Sequence, residues 1–446
     1  MVINDCPGNS SGWKSYFQIL TTAFTLGFIS MSFQLELLST TSRLFKNDTL
    51  LVGIALASWI FLTGTGSILA RHIEKMKNKQ SFLWTIFLSM PLLAILSNLL
   101  IFGSLEWHIS GKTISMPMFT VFIFISFVPL CLANGTVFSL IAQTSVDRRP
   151  SAINKIYALE SMGGLLGGLV FYFNPSQQMG FWVITNFVLS ALVFVASTSP
   201  VKLKILLPTT IAIIIVLCWN ITKQFIPAGS FLLSQHSSYE PIQLIDYVII
   251  FGLFLLVSAG MIHRFPPIGR TLFVTGFAGL SMEILLIMIY KKICTPDFSG
   301  SVIIISICMA GLALGALLPL PNTLNLKTHF TRLLFGLTFL SITAACILFY
   351  GESDTLKHRV IPLLLLMFGA LFSAISGALF SVGVCIQNGS AGGVVATTFG
   401  PDMIGASLGA LVVSSLLIPE FGVSGVAAIT SVLLLSSTAF TMMWKP

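Results

Sequence analysis

Four carboxylates stand inside stretches that are otherwise almost wholly apolar: Glu36, Glu160, Glu283 and Asp402. An acid placed in a membrane-spanning helix costs about 2.5–3.5 kcal/mol on insertion scales, so such residues are rare without a reason. Two readings stay open for them. Either they form a polar centre that binds protons or a cationic solute, or each pairs with a nearby base or caps a helix at the interface. Lys155 and Tyr157 lie within about a turn of Glu160, and Gly400-Pro401 before Asp402 suggests a helix break that would turn free amides towards it. Gln34, Tyr157 and Asn134 are the polar neighbours that would serve a binding site, with Gln143, Gln387 and Asn388 as further amides able to line a cavity or to bond across helices.

The elements that must hold these groups follow from composition. Of 446 residues, 55% are hydrophobic and 9% charged, against about 25% charged in a soluble domain. The apolar runs are about 20 residues long, the length a bilayer requires of a helix, and backbone groups in lipid must be paired within the segment. The expected fold is an all-α integral membrane protein of about fourteen spans. The net charge of +8 reads as the loop bias that sets orientation rather than as a nucleic-acid signal. Fourteen of the 23 Lys and Arg fall on the side of the N-terminus and eight on the other, which predicts cytoplasmic termini in an inner membrane.

The chain repeats itself. GFISMSFQLELL from Gly27 resembles GFAGLSMEILL from Gly276, and setting acid on acid places Glu36 on Glu283 and Gly64 on Gly311, an offset of 247. ANGTVFS from Ala133 resembles ISGALFS from Ile375, and ESMGGLLGG from Glu160 resembles DMIGASLGA from Asp402, both at an offset of 242. Eight spans precede the second copy, so the copies are parallel, as in the two halves of major-facilitator transporters. The expected organisation is a tail over 1–14, a six-helix unit over 15–200, an extra helix pair over 201–266 and a second six-helix unit over 267–446. Gly163, Gly167, Gly405, Gly409, Gly311 and Gly315 sit at the spacing that lets helix backbones approach closely; no strand precedes them, so they are not a dinucleotide loop.

No nucleophile–base set, P-loop or metal-ligand spacing occurs. Six histidines lie in loops or at span ends, and seven cysteines are scattered without a CxxC. No catalytic residue, metal or cofactor is expected. The patterns GFxxxxxQxELL and YALESMGGLLGG resemble the membrane region found beside spermidine synthases, carried by Gly27, Phe28, Glu36, Tyr157, Glu160, Gly163 and Gly167 and by their counterparts in the second copy. The soluble aminopropyltransferase domain of that family has no counterpart here, so the resemblance implies a membrane bundle without its catalysis. The segment from Gly66 through Ala70-Arg71 to Lys75 resembles the inner loop between helices two and three of major-facilitator proteins, without its aspartate. Two functions are expected: a permease for a small cationic or amine-bearing solute working between the two units, or a non-transporting scaffold within a larger membrane complex. Its surroundings are then the lipid bilayer, a solute or a protein partner, and no nucleic acid.

Overall fold

The computed structural model describes residues 10–44, 49–109, 116–145, 150–173, 179–197, 260–294, 298–319, 325–350 and 360–444. The expected helix pair within 201–266 lies outside the described residues, apart from the stretch from Gly260 onward.

Twelve long helices are described, six in each half: α1 (Ser10–Leu44), α2 (Thr49–Ile73), α3 (Lys79–Ile109), α4 (Met116–Thr144), α5 (Pro150–Phe173), α6 (Met179–Ser197), then α7 (Pro267–Ile293), α8 (Phe298–Leu317), α9 (Leu326–Tyr350), α10 (Val360–Ile386), α11 (Ala391–Val412) and α12 (Ile418–Met443). Nine stretches among the described residues are long and apolar enough to cross a membrane. One of them, Ala391–Met443, is α11 and α12 run together through the π-turn Val413–Leu417. The chain turns there at Gly422, whose φ of 65° is open to glycine and costly for other residues.

The packing has a twofold pattern. In the first half α1 packs on α5 and α2 on α4; in the second, α7 packs on α11 and α8 on α10. The halves meet through α2 on α11 and α5 on α8. Successive contacts fix direction. Gly163 meets Phe24 and Gly167 meets Phe28, so α5 runs parallel to α1; Gly164 meets Met309 and Gly168 meets Ser306, so α8 runs antiparallel to α5. With α7 antiparallel to α8, α7 and α1 start on the same face, and the two six-helix repeats are parallel.

Glycines also show where the bundle is tight. A Cβ on Gly163 or Gly405 would collide with the carbonyl oxygen of Phe24 or Phe273. Gly167 and Gly409 press on the backbone at Phe28 and Phe277, and Gly311 and Gly315 on that at Ala370 and Ala374. All of these contacts lie within one half. Between halves the nearest neighbours are mostly side chains: Ser414 for Gly53, Met309 for Gly164, Ser306 for Gly168 and Ile68 for Gly400. Backbone-on-backbone contact binds each half, and side-chain contacts predominate between the two, with Gly64 against Met403 and the carbonyl of Gly400 as the tight exception.

The same contacts correct the register of the repeat. Gly27 packs on the carbonyl of Glu160, and Gly276 on that of Asp402. Ser32 donates to the carbonyl of Phe28, and Ser281 to that of Phe277. Gly66 meets Leu132, and Gly315 meets Ala374. The first two helices of each half therefore correspond at an offset of 249, not 247, while α4 and α5 keep 242. Glu283 is the counterpart of Gln34, Glu36 that of Leu285, and Gly311 that of Leu62.

Candidate functional site

Where the halves meet, α1, α2, α4, α5, α7, α8, α10 and α11 enclose a cavity of about 180 Å³. Gln34, Asn134, Tyr157, Glu160, Glu283 and Asp402 all line it. Of the sequence-predicted binding residues only Glu36 does not; it is buried in the first half, 2% exposed. Gln387 and Asn388 follow α10 at its exposed end, and Gln143 donates to the carbonyl of Ala70 at 3.0 Å.

Helix register places the acids. Glu160 and Asp402 are twofold counterparts on α5 and α11, each with its backbone against a glycine of the neighbouring helix, Gly27 or Gly276. Asp402 does not sit at a helix break. Pro401 lies inside the continuous α11, where its missing N–H leaves the carbonyl four residues earlier, at Thr397, without its helical donor. Tyr157 is within electrostatic reach of both carboxyls. Glu283 stands farther along α7, within electrostatic reach of Cys308.

No Lys, Arg or His is among the described residues lining the cavity. Its hydroxyls add to the acceptor excess. Thr63, Ser161, Thr275 and Ser376 donate to the carbonyls of Trp59, Tyr157, Leu272 and Phe372 on their own helices, which leaves oxygen lone pairs to face inward. Asn134 donates to Ser30 Oγ at 2.9 Å; its Oδ1 is buried with no donor. The described residues contain no group of three or more His, Cys, Asp or Glu set to hold a metal ion. The cavity brings three carboxyls together with aromatic and apolar walls, among them Trp59, Phe399, Met309 and Leu280.

On the N-terminal side the cavity ends against four rings. Phe138 stacks on Phe399 with centroids 4.2 Å apart, and Tyr157 on Phe380 at 4.1 Å. The two stacks are twofold counterparts at the offset of 242, and they touch edge-on through Tyr157 and Phe399 at 6.3 Å. Of the four, only Tyr157 stands out in the sequence, although Phe138 and Phe380 occupy matching places in ANGTVFS and ISGALFS.

Beyond the rings, Glu74, in the inner-loop segment, reaches the start of α11. Ser390, the N-cap of α11, accepts from Gly393 N and donates to Glu74 Oε2 at 2.7 Å. A carboxylate thus neutralises the positive end of α11 across the junction of the halves. The signal was an acid within the basic run from Arg71 to Lys79. Glu74→Gln is expected to weaken closure of this end by about 1 kcal/mol, or roughly fivefold. Thiol-reagent labelling of Cys385, read by mass spectrometry, would rise accordingly; an unchanged rate would show that the contact closes nothing.

No family model and no curated protein matches the chain. Solved structures do. The human organic anion transporter MFSD10 (TETRAN) superposes with a TM-score of 0.59 at 12% identity, covering 97% of this chain and 100% of that one. The proton:xylose symporter XylE, bound to 6-bromo-6-deoxy-D-glucose, gives 0.57 at 13%, covering 98% and 97%. The partially occluded inward-open form of XylE from E. coli also gives 0.57, at 12%, covering 97% and 98%. The chain is an integral membrane protein with the major-facilitator fold.

Proposed function

We propose that this chain is a secondary transporter that moves a small protonated amine by alternating access between its two halves. The observation that carries the reading is the cavity on the twofold junction, lined by three carboxyls and, among the described residues, by no Lys, Arg or His. Rigid packing within each half and side-chain contact between halves suit such motion. The fold neighbours point to transport as a class, while their named solutes, an organic anion and a sugar, differ in chemistry from what this cavity would accept. The excess of Lys and Arg loops supports an inner-membrane location with the N-terminal side in the cytoplasm. The resemblance to the region beside spermidine synthases has no matching relative behind it and carries no part of this reading.

Vesicles containing the full chain should accumulate a labelled primary amine, under a pH gradient, above the level of protein-free vesicles. The quaternary trimethylammonium analogue of the same skeleton should enter at least about tenfold more slowly. It offers no N–H to a wall of acceptors, and a hydrogen bond to a charged partner contributes about 1.5–3 kcal/mol. Equal uptake with and without protein, together with no amine-dependent change in stability, would favour the scaffold.

A further inference from the structure

The cavity carboxyls lie at two depths. Gly27 and Gly276 mark the level of Glu160 and Asp402, since each packs on the backbone of one of them. Glu283 follows Gly276 by seven positions on α7, about 10 Å of helix rise. Between the levels the wall is mixed: Met31 and Leu280 come one turn above the two marker glycines and Met309 faces Gly164 one turn above Glu160, with Ser30 and its partner Asn134 at the height of Met31. The halves also differ at the far level, where α7 carries Glu283 and α1 the neutral Gln34. Asn134 lines the same cavity, and its Oδ1 is buried without a donor.

We propose that the solute is a linear molecule with two cationic ends, one protonated nitrogen held between Glu160 and Asp402 beside Tyr157 and the other held by Glu283. The proposal rests on the amine reading above and adds the second charge and its spacing. A compact single cation could neutralise the Glu160–Asp402 level alone, leaving Glu283 about two turns away without a partner. A metal ion is disfavoured because the acids do not converge on one point. A methylene chain between two ammonium groups would lie against Met31, Leu280 and Met309, which stand between the acidic levels.

The test is ligand-induced thermal stabilisation of the full-length protein in detergent, titrated with linear diaminoalkanes from 1,3-diaminopropane to 1,10-diaminodecane and with the monoamines of equal length. A diamine whose nitrogens span about 10 Å should bind at least about tenfold tighter than its monoamine and than 1,3-diaminopropane. In Glu283→Gln that ratio should fall towards one. In Glu283→Asp it should persist with the optimum moved to a longer chain. Equal binding of diamine and monoamine, or a ratio that survives Glu283→Gln, overturns the dication while leaving the amine reading in place. Binding of no amine at all overturns both.

Discussion

Replacing Glu160 by Gln together with Asp402 by Asn is expected to lower amine uptake by at least about a hundredfold and to leave the protein folded. Each carboxylate that meets a protonated nitrogen in a partly desolvated cavity contributes about 1.5–3 kcal/mol. Losing both removes roughly 3–6 kcal/mol, which corresponds to between 10² and 10⁴ in binding. The exchanges are nearly isosteric, and the amides keep hydrogen-bonding capacity. The effect on stability has the opposite sign: an acid facing a cavity without a base is a burden on the empty protein, and its neutral analogue relieves it. Uptake should therefore collapse while thermal stability holds or rises. Were the pair structural, holding α5 and α11 in place, stability would fall and uptake would follow it down. Glu36→Gln supplies the contrast. Its carboxyl is outside the cavity lining, so the concentration dependence of uptake should stay where it is.

Much of this site was legible in the sequence, and the part that was misread has a physical cause. An acid in a long apolar run is conspicuous because hydrocarbon penalises it, so Glu160, Glu283 and Asp402 could be picked out unaided. Helix type followed from run length, and the parallel repeat from the matched segments and the eight spans counted before the second copy. The slip of two residues between α1 and α7 came from setting Glu36 on Glu283. Glycine was the better marker, because Gly27 and Gly276 are held by backbone contact that tolerates no side chain, whereas a cavity-facing position can be Gln in one half and Glu in the other. Charge sits where the solute requires it, and nothing demands that it repeat. The ring stacks were hidden for another reason. Phe138, Phe380 and Phe399 look like ordinary apolar residues of a membrane helix, and only the crossing of four helices from two halves brings them together. Glu74 was obscured by its basic neighbours, since nothing local reveals that the start of α11, more than 300 residues later, comes to rest beside it. Pro401 suggested a broken helix. In a packed bundle, close contacts from neighbouring helices hold α11 continuous through a proline that would interrupt an isolated helix.

Alanine at Gly163 and alanine at Gly405 should each destabilise the protein by about 1–3 kcal/mol, equally within error, because the two positions are the same contact in two copies. The added methyl meets a backbone carbonyl, of Phe24 in one half and Phe273 in the other. No rotamer can move a carbonyl aside, so α1 or α7 must back away and give up packing along its length, a loss of the size seen when a tight core is overfilled. Gly168→Ala provides the informative comparison. Its methyl meets the hydroxyl of Ser306 across the junction of the halves, and a serine can rotate. The cost in stability there should stay below about 1 kcal/mol, yet transport should change, since this contact must loosen and re-form if the halves rock past one another. Thermal unfolding in detergent reads the first effect and vesicle uptake the second. A bundle that moved by bending its helices individually would show no such division: Gly168→Ala would cost as much stability as Gly163→Ala, or the two twofold-related substitutions would part company. Equal losses at Gly163 and Gly405, with a mild one at Gly168, are what two stiff bodies joined by a soft seam require.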